Sequence, residues 1–483
     1  MTTMPAADLL SQLRAVVGEK HVHVAAEDLA PYLWETRRLA QGTAIAAVLP
    51  ANTAEVSAAV KACHAAGVSF LAQGGNTGLV GGGVPHGGVV ISLKRLRTIE
   101  PVDAVNAAIT VEAGAVLAQV QQAAREAGFL YPLSLASEGS CTIGGNIASN
   151  AGGTAVLRYG NTRDLVLGLE VVLADGTIWN GLSALRKDNA GYDLKHLFIG
   201  SEGTLGIVTK AVLKLFPLPK ARATAFVGAA GPTEIVAFFA RLRQRAGDRL
   251  TTFEIIPRFG LQIVVRHAPG ARDPLDGQHV SYALVELTSP EPNADLDALL
   301  LEVLEPALEM GEIEDAAVAT SDTQAAAFWH LRESLSEYQR HEGASIKHDV
   351  SVPISRVADF LVEASAACEA EMPGLRVCAF GHIGDGNIHF NLSQPVGMEP
   401  KAFLGEWHRF NRIVHDMVAK RGGSIAAEHG VGLFKRDELP HYKDPVALKL
   451  METLKRALDP GNRLNPGKVI ALGDDLPEFR PGA

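Results

Sequence analysis

Residues 381–391 read GHIGDGNIHFN, with one imidazole on each side of a glycine-rich turn. Alternate side chains of a strand share a face, so His389 and Asn391 point the same way. A turn at Asp385-Gly386 folds His382 back toward them. Two imidazoles aimed at one spot suit a divalent metal, and a third ligand, carboxylate or histidine, then has to come from elsewhere. The stretch GGSIAAEHGVG at 422–432 offers Glu428 and, beside it, His429. By spacing alone the histidine pair reads more readily as surface residues of a strand, and the glycine-rich packing around both segments shifts the balance toward a metal. A third stretch, HLRESLSEYQRHEGASIKHDVSVP at 330–353, places Arg332 and Ser336 on one helical face, with Lys347 on the strand that follows. A guanidinium fork and an ammonium converging on one pocket would favour a carboxylate. Arg332 also has Glu333 and Glu337 as partners on a solvated helix, although the apolar pattern around Lys347 demands a partner there.

A second chemistry sits in the first half. The loops AQGGNTGLVGGG (72–83), SEGSCTIGGNIASNAGG (137–153) and GSEGTLGIVT (200–209) are rich in Gly, Ser, Thr and Asn and poor in charge. Such loops can turn backbone N–H groups toward an anion. Their spacing is not the GxGxxG of a Rossmann unit. Three of them together fit a long diphosphate-containing cofactor better than three independent tight turns.

These residues need a scaffold. IAAVLP reads as a strand, followed by a helix, NTAEVSAAVKACHAAG, with Asn52 as cap, Glu55 three residues on and Gly67 at its end. Strands VSFLAQ, VVISL and ITVEAG, the helix VLAQVQQAAREAG and a hairpin turning at Asp175-Gly176 complete the first half. Phe216-Pro217-Leu218-Pro219 marks a boundary. Beyond it, helical patterns at 232–245, 294–310, 322–342, 355–371 and 400–421 alternate with strands at 223–229, 280–287, 346–352, 376–381 and 387–392. That pattern predicts an α+β domain, an open sheet with helices on one face. The expected division is an N-terminal helical segment (1–40), a cofactor domain (41–219), a cap domain (220–455) and a C-terminal segment (456–483).

Composition limits the function classes. The chain has 483 residues, 47% apolar, and a net charge of −10, which argues against nucleic-acid binding. No apolar run reaches membrane-spanning length. The first twenty residues resemble an amphipathic helix rather than a signal peptide, and the four cysteines are scattered without a CxxC. A cytoplasmic protein with reduced thiols is the expectation.

The order AQGGNTGL, SEGSCTIGGNIASNAGG, LFIGSEGTLGIVT and NRLNPGK resembles the FAD-binding oxidoreductases of the vanillyl-alcohol oxidase / p-cresol methylhydroxylase superfamily over almost the whole chain. That resemblance implies a two-part FAD domain and an antiparallel cap sheet. It assigns Gly74, Gly75, Asn76, Thr77 and Gly78 to the diphosphate, and Ser140, Thr142, Gly145, Ala148, Ser149, Gly152, Ile207 and Val208 to flavin and adenosine. Asn465 and Lys468 would return to the isoalloxazine edge. Members that bond FAD covalently often carry a histidine where this chain has Asn76, so non-covalent FAD is expected. The segments R…S…K, GHIGDGNIHFN and EHG sharpen the match to the D-2-hydroxyacid dehydrogenases of that superfamily, nearest to those acting on D-2-hydroxyglutarate. By that likeness His382, His389 and Glu428 hold a metal, zinc by preference. His429 is the general base, Arg332, Ser336 and Lys347 bind a carboxylate, and Asn391 donates to the substrate. Electrons would leave to an electron-transfer flavoprotein or a quinone, and the family implies a homodimer. D-lactate, glycolate or D-malate oxidation on the same scaffold is the nearest alternative. A metallohydrolase with purely structural glycine loops is an alternative of another class.

Overall fold

The computed structural model describes residues 6–473. Its chain gathers into two compact units. One takes the chain up to Gly152, Asn161–Pro217 and the chain from Glu428 onward; the other takes Gly153–Gly160 and Leu218–Ala427. Of the expected N-terminal helix, Ala6–Val17 is helical, and residues 1–5 lie outside the described residues, as do 474–483 of the expected C-terminal segment.

Hydrogen bonds explain where this division departs from the expected one. Residues 1–40 are not a separate segment: the Asn76 Nδ2 and Gln73 Nε2 groups donate to the carbonyls of Trp34 and Tyr32, at 2.9 and 3.0 Å. The cap unit ends at Ala427 rather than 455, because Leu433 N–H bonds Val80 O at 2.8 Å and Lys455 Nζ bonds Thr204 O at 2.9 Å. The short piece Gly153–Gly160 joins the cap through Arg158, which donates to Thr288 O at 3.0 Å.

In the first unit, β1 (Val22–His23), β2 (Ala46–Val48), β3 (Phe70–Gln73) and β4 (Val89–Ser92) form a sheet of order β1-β2-β4-β3. The helix between β2 and β3, Thr53–Ala66, starts and stops where its sequence dictates. Asn52 accepts the Glu55 N–H at 2.9 Å, and Gly67 closes it at φ 71°. Next come β5 (Ala108–Glu112), β6 (Phe129–Leu130), β7 (Val166–Val172), β8 (Ile178–Gly181), β9 (Ile207–Lys214) and β10 (Phe216–Pro217). They make a second sheet, β5-β9-β7-β8, and a β6–β10 ribbon.

The second unit is built on seven antiparallel strands. They are β11 (Ala221–Ala229), β12 (Leu250–Pro257), β13 (Ser281–Ser289), β14 (Asp315–Val318), β15 (Ser345–Ser351), β16 (Arg376–His382) and β17 (Asn387–Ser393). Their order is β14-β11-β13-β12-β16-β17-β15. Ile388, Phe390 and Leu392 of β17, with Phe253, Ile255, Ile346 and Val350, enter one core under helices Pro232–Ala246, Leu296–Glu309, Val357–Glu371 and Trp407–Lys420. Ile256, Cys378 and Phe380 point the other way, against helices Arg258–His267 and Asp322–Glu333. Helices therefore lie on both faces, not on one as expected. Strands β12 and β14 and the helix Arg258–His267 have no counterpart in the sequence reading.

The expected helix over 322–342 is interrupted. It caps at Ser334, and a new turn, Leu335–Tyr338, follows. Arg332 consequently ends up buried while Ser336 is exposed, so the two do not share one helical face.

All four cysteines are free thiols and buried. Burial pushes the thiols of Cys63, Cys368 and Cys378 up to about 12. Native protein at pH 8 should therefore take up no iodoacetamide within minutes, and four equivalents after denaturation, as read by intact-mass spectrometry. Rapid labelling of the folded chain would contradict this packing.

Candidate functional site

A cleft of ≈ 180 Å³ opens within the first unit. Gly74, Gly75, Asn76, Thr77, Gly78, Thr142, Gly145, Ala148, Ser149, Ile207, Val208 and His429 all line it. Its walls are the three glycine-rich loops: one leaves β3, one opens the short helix Ile143–Ser149, and one leads into β9. Asn76 sits at φ 55°, where a non-glycine residue is uncommon, and its side chain is anchored on Trp34 O. Glycine is required here for contact, not only for freedom. A Cβ on Gly74 would collide with Thr142 Oγ1, and one on Gly75 with the Ser140 carbonyl. Ser140 thus backs the loop rather than lining the cleft.

The other expected cofactor residues also brace the walls from behind. Asn465, at φ 47°, donates its Nδ2 to Gly82 O at 3.1 Å and Glu202 O at 3.0 Å, tying two cleft segments together. Lys468 is buried and donates to Val84 O at 3.0 Å. Gly152 is buried at the end of the second loop. The cleft suits a polar, extended cofactor such as FAD. Gln73 Oε1 and Thr142 Oγ1, from two lining residues, are buried without a protein partner among the described residues. Each calls for a hydrogen-bonding ligand or water.

Glu202 lines the same cleft and was missed in the sequence, where it hides inside SEGTLG. It sits at φ 52°, and its two carboxylate oxygens accept the N–H groups of Val431 at 2.7 Å and Gly432 at 2.8 Å. Burial pushes this carboxyl up, and the two N–H bonds with the charges of Lys435 and Lys468 offset only part of that. The loop held this way begins at His429, whose Nε2 lies 3.9 Å from Glu428 Oε1.

In the second unit, several strand positions that alternate with the larger apolar core carry polar side chains beside the smaller apolar cluster. Register sets Glu254 opposite His382, His382 opposite Asn387, His389 opposite Asp349, and Lys347 opposite Asn391. The β16–β17 turn is closed by an Asp385 Oδ1 bond from Asn387 N–H at 3.0 Å. That turn brings His382 and His389 together as the sequence implied, with ring centroids 5.5 Å apart.

Three residues that the sequence reading passed over complete this face. Glu254 is fully buried; its Oε1 accepts from His382 Nδ1 at 2.6 Å and its Oε2 from Arg332 Nε at 2.7 Å. Burial alone would raise this carboxyl, yet the charges and hydrogen bonds of His382 and Arg332 hold it below the ordinary value. Arg332 also stacks 4.8 Å from the Phe380 ring centroid, and it does not pair with Glu333 or Glu337. Asp349 Oδ1 lies 3.7 Å from His389 Nδ1 and accepts from Asn387 Nδ2 at 2.9 Å. Gln339, fully buried, takes an Asn391 N–H at 2.9 Å. Glu428 and His429 belong to the first unit, and Glu428 follows Ala427, whose N–H bonds Asp349 O at 3.3 Å. The available signal was the strand LTTFEIIP, in which a lone carboxylate among apolar neighbours must have cationic partners.

Comparison with known proteins gives the family. Residues 44–181 match the FAD binding domain family, and residues 218–469 match the family of FAD linked oxidases, C-terminal domain. A probable mitochondrial D-2-hydroxyglutarate dehydrogenase of Oryza sativa subsp. indica is 40% identical over 441 residues, 89% of this chain and 76% of that protein. The mitochondrial D-2-hydroxyglutarate dehydrogenase of Rattus norvegicus is 38% identical over 438 residues, covering 90% and 79%. In fold, the chain is similar to p-cresol methylhydroxylase with substrate bound, at a TM-score of 0.78, 19% identity and 98% and 99% coverage. The mitochondrial location in the relatives' names overturns the cytoplasmic expectation. The four thiols are buried, so their reduced state reports on packing and not on compartment.

Replacing Gly75 by Ala should cost on the order of 1–3 kcal/mol through overpacking against the Ser140 carbonyl. The variant should be purified with a lower ratio of flavin to protein absorbance than wild type. An unchanged ratio would mean that this loop does not shape the cofactor cleft.

Proposed function

Because the chain belongs to the FAD-linked oxidases, and among them to the FAD-dependent D-2-hydroxyacid dehydrogenases, we propose that its substrate is D-2-hydroxyglutarate, oxidised at C2 to 2-oxoglutarate. The observation that carries this reading is the polar patch on β12, β15, β16 and β17, where Lys347, Asn391 and two histidines lie with Glu254, which Arg332 reaches from its helix. A substrate with one carboxylate at C1 and another at the far end gives both the imidazole pair and the cations something to hold. A diacid brings a second carboxylate for the guanidinium and ammonium to bind, and a monoacid does not. The match of residues 44–181 to an FAD binding domain removes the metallohydrolase alternative.

The roles follow from the chemistry of each side chain. FAD in the cleft of the first unit supplies the hydride acceptor at its N5 atom, dissociably, since no histidine or cysteine lies between Gln73 and Pro85. His382, His389 and Glu428 would hold a divalent cation, zinc by the nitrogen and oxygen donor set, and such an ion would supply Lewis-acid stabilisation of negative charge on the C2 oxygen. Two of these residues, His389 and Glu428, cluster with Asp349 and His429 in an arrangement that could hold a cation, and the Nδ1 bond of His382 to Glu254 supports Nε2 as its ligand atom. His429 lines the flavin cleft and takes the C2 hydroxyl proton as general base. Arg332 and Lys347 grip the distal carboxylate, and Asn391 donates to the substrate; Ser336, exposed and off the Arg332 face, takes no part in that grip. Electrons leave the reduced enzyme through an external carrier, an electron-transfer flavoprotein or a quinone.

Anaerobic mixing should bleach the visible flavin band quickly with D-2-hydroxyglutarate and slowly with D-lactate or glycolate; D-malate is expected in between. Lactate bleaching as fast as the diacids would remove the distal-carboxylate pocket. His429→Ala should slow bleaching by roughly 10²–10⁴-fold while the substrate concentration for half-maximal rate changes little. Equal rates in variant and wild type would remove the base assignment.

A further inference from the structure

We propose that Glu254 is a positioning residue that joins the cation-binding histidine and the carboxylate-binding arginine into one mechanical unit. This rests on the roles given above to His382 and Arg332. The carboxylate is fully buried on β12, between Phe253 and Ile255 of one core and next to Ile256 of the other. It has no access to water, so its oxygens must be used by protein donors. Each is used by a different subsite: Oε1 takes His382 Nδ1 at 2.6 Å, and Oε2 takes Arg332 Nε at 2.7 Å.

The two bonds do different work. The bond to Nδ1 fixes the His382 tautomer, so Nε2 keeps its lone pair for a cation and becomes a stronger donor. The bond to Arg332 Nε fixes the plane of the guanidinium and leaves its terminal nitrogens as the edge for a substrate carboxylate. The bond to His382 is built into the fold, because Glu254 and His382 are direct partners across β12 and β16. Arg332 arrives from the last turn of a separate helix and is steadied on Phe380. An amide at position 254 cannot serve both partners. With its oxygen toward Arg332 it presents N–H to Nδ1, which moves the imidazole proton to Nε2. With its oxygen toward His382 it sets N–H against Nε–H.

The test measures Zn²⁺ affinity, by competition with a chromophoric chelator, and steady-state kinetics on purified holoenzyme for wild type, Glu254→Gln and Glu254→Asp. Glu254→Gln should bind Zn²⁺ roughly 10–100-fold more weakly. Its KM for D-2-hydroxyglutarate should rise more than its KM for D-lactate, since only the diacid uses Arg332. Glu254→Asp should recover part of the Zn²⁺ affinity, because a carboxylate remains. Flavin content should stay at the wild-type level in both variants, which reports that they fold. Zn²⁺ affinity and KM within twofold of wild type in folded Glu254→Gln would overturn the proposal. Weaker Zn²⁺ binding with equal KM shifts for both acids would overturn the Arg332 half. Wild-type protein that binds no Zn²⁺ would instead overturn the metal reading, and the His382 half with it.

Discussion

A carboxylate with no exposure to water dictates much of what surrounds it. Glu254 lies inside a sheet whose neighbouring side chains are phenylalanine and isoleucine. Taking such a charge out of water costs roughly several kcal/mol per ion, which only well-placed donors offset. Both Glu254 oxygens therefore need partners, and the partners need fixed positions. One comes from strand register, the other from a helix that has to end where Arg332 can reach back. The interruption of that helix at Ser334 is part of the same constraint.

The sheet solves a sorting problem by alternation alone. On β17 the odd and even residues divide cleanly: Ile388, Phe390 and Leu392 enter the core, while Asn387, His389 and Asn391 make up the chemical face. A slip of one residue would bury the imidazoles and expose the core. The turn between β16 and β17 guards against that slip. Gly381 and Gly386 have positive φ, and a Cβ on either would strike the backbone of Asn387 or Val352. The glycines of GHIGDGN thus fix the hairpin's closure, and closure fixes the register of both histidines.

How much of this was legible depended on how local each feature is. The helix Thr53–Ala66, its Asn52 cap and its Gly67 stop follow from neighbours in sequence, and the structure has them where the sequence put them. The shared face of His382, His389 and Asn391 needed only a strand period and a turn. Features resting on distant contacts were not legible. Glu254 meets its partners 128 and 78 residues away. Nothing near 158 in sequence reveals that Arg158 bonds Thr288 and moves a short piece of chain into the other unit. The i, i+4 spacing of Arg332 and Ser336 predicted one face, but tertiary demands on Arg332 overrode the continuity of the helix.

Both units use one device to aim an imidazole. In the second, Glu254 divides its oxygens between His382 and Arg332. In the first, Glu202 divides its oxygens between the N–H groups of Val431 and Gly432, and so holds the loop that starts at His429. The partners differ in kind, and the acidities respond accordingly. The two N–H bonds, with the charges of Lys435 and Lys468, do not offset the burial of Glu202, so that carboxyl stays above its ordinary value. Two cationic side chains more than offset the burial of Glu254, so that one falls below it. The carboxylate with side-chain partners serves the face that holds several groups in register, and the one with backbone partners serves a single loop beside the cofactor cleft.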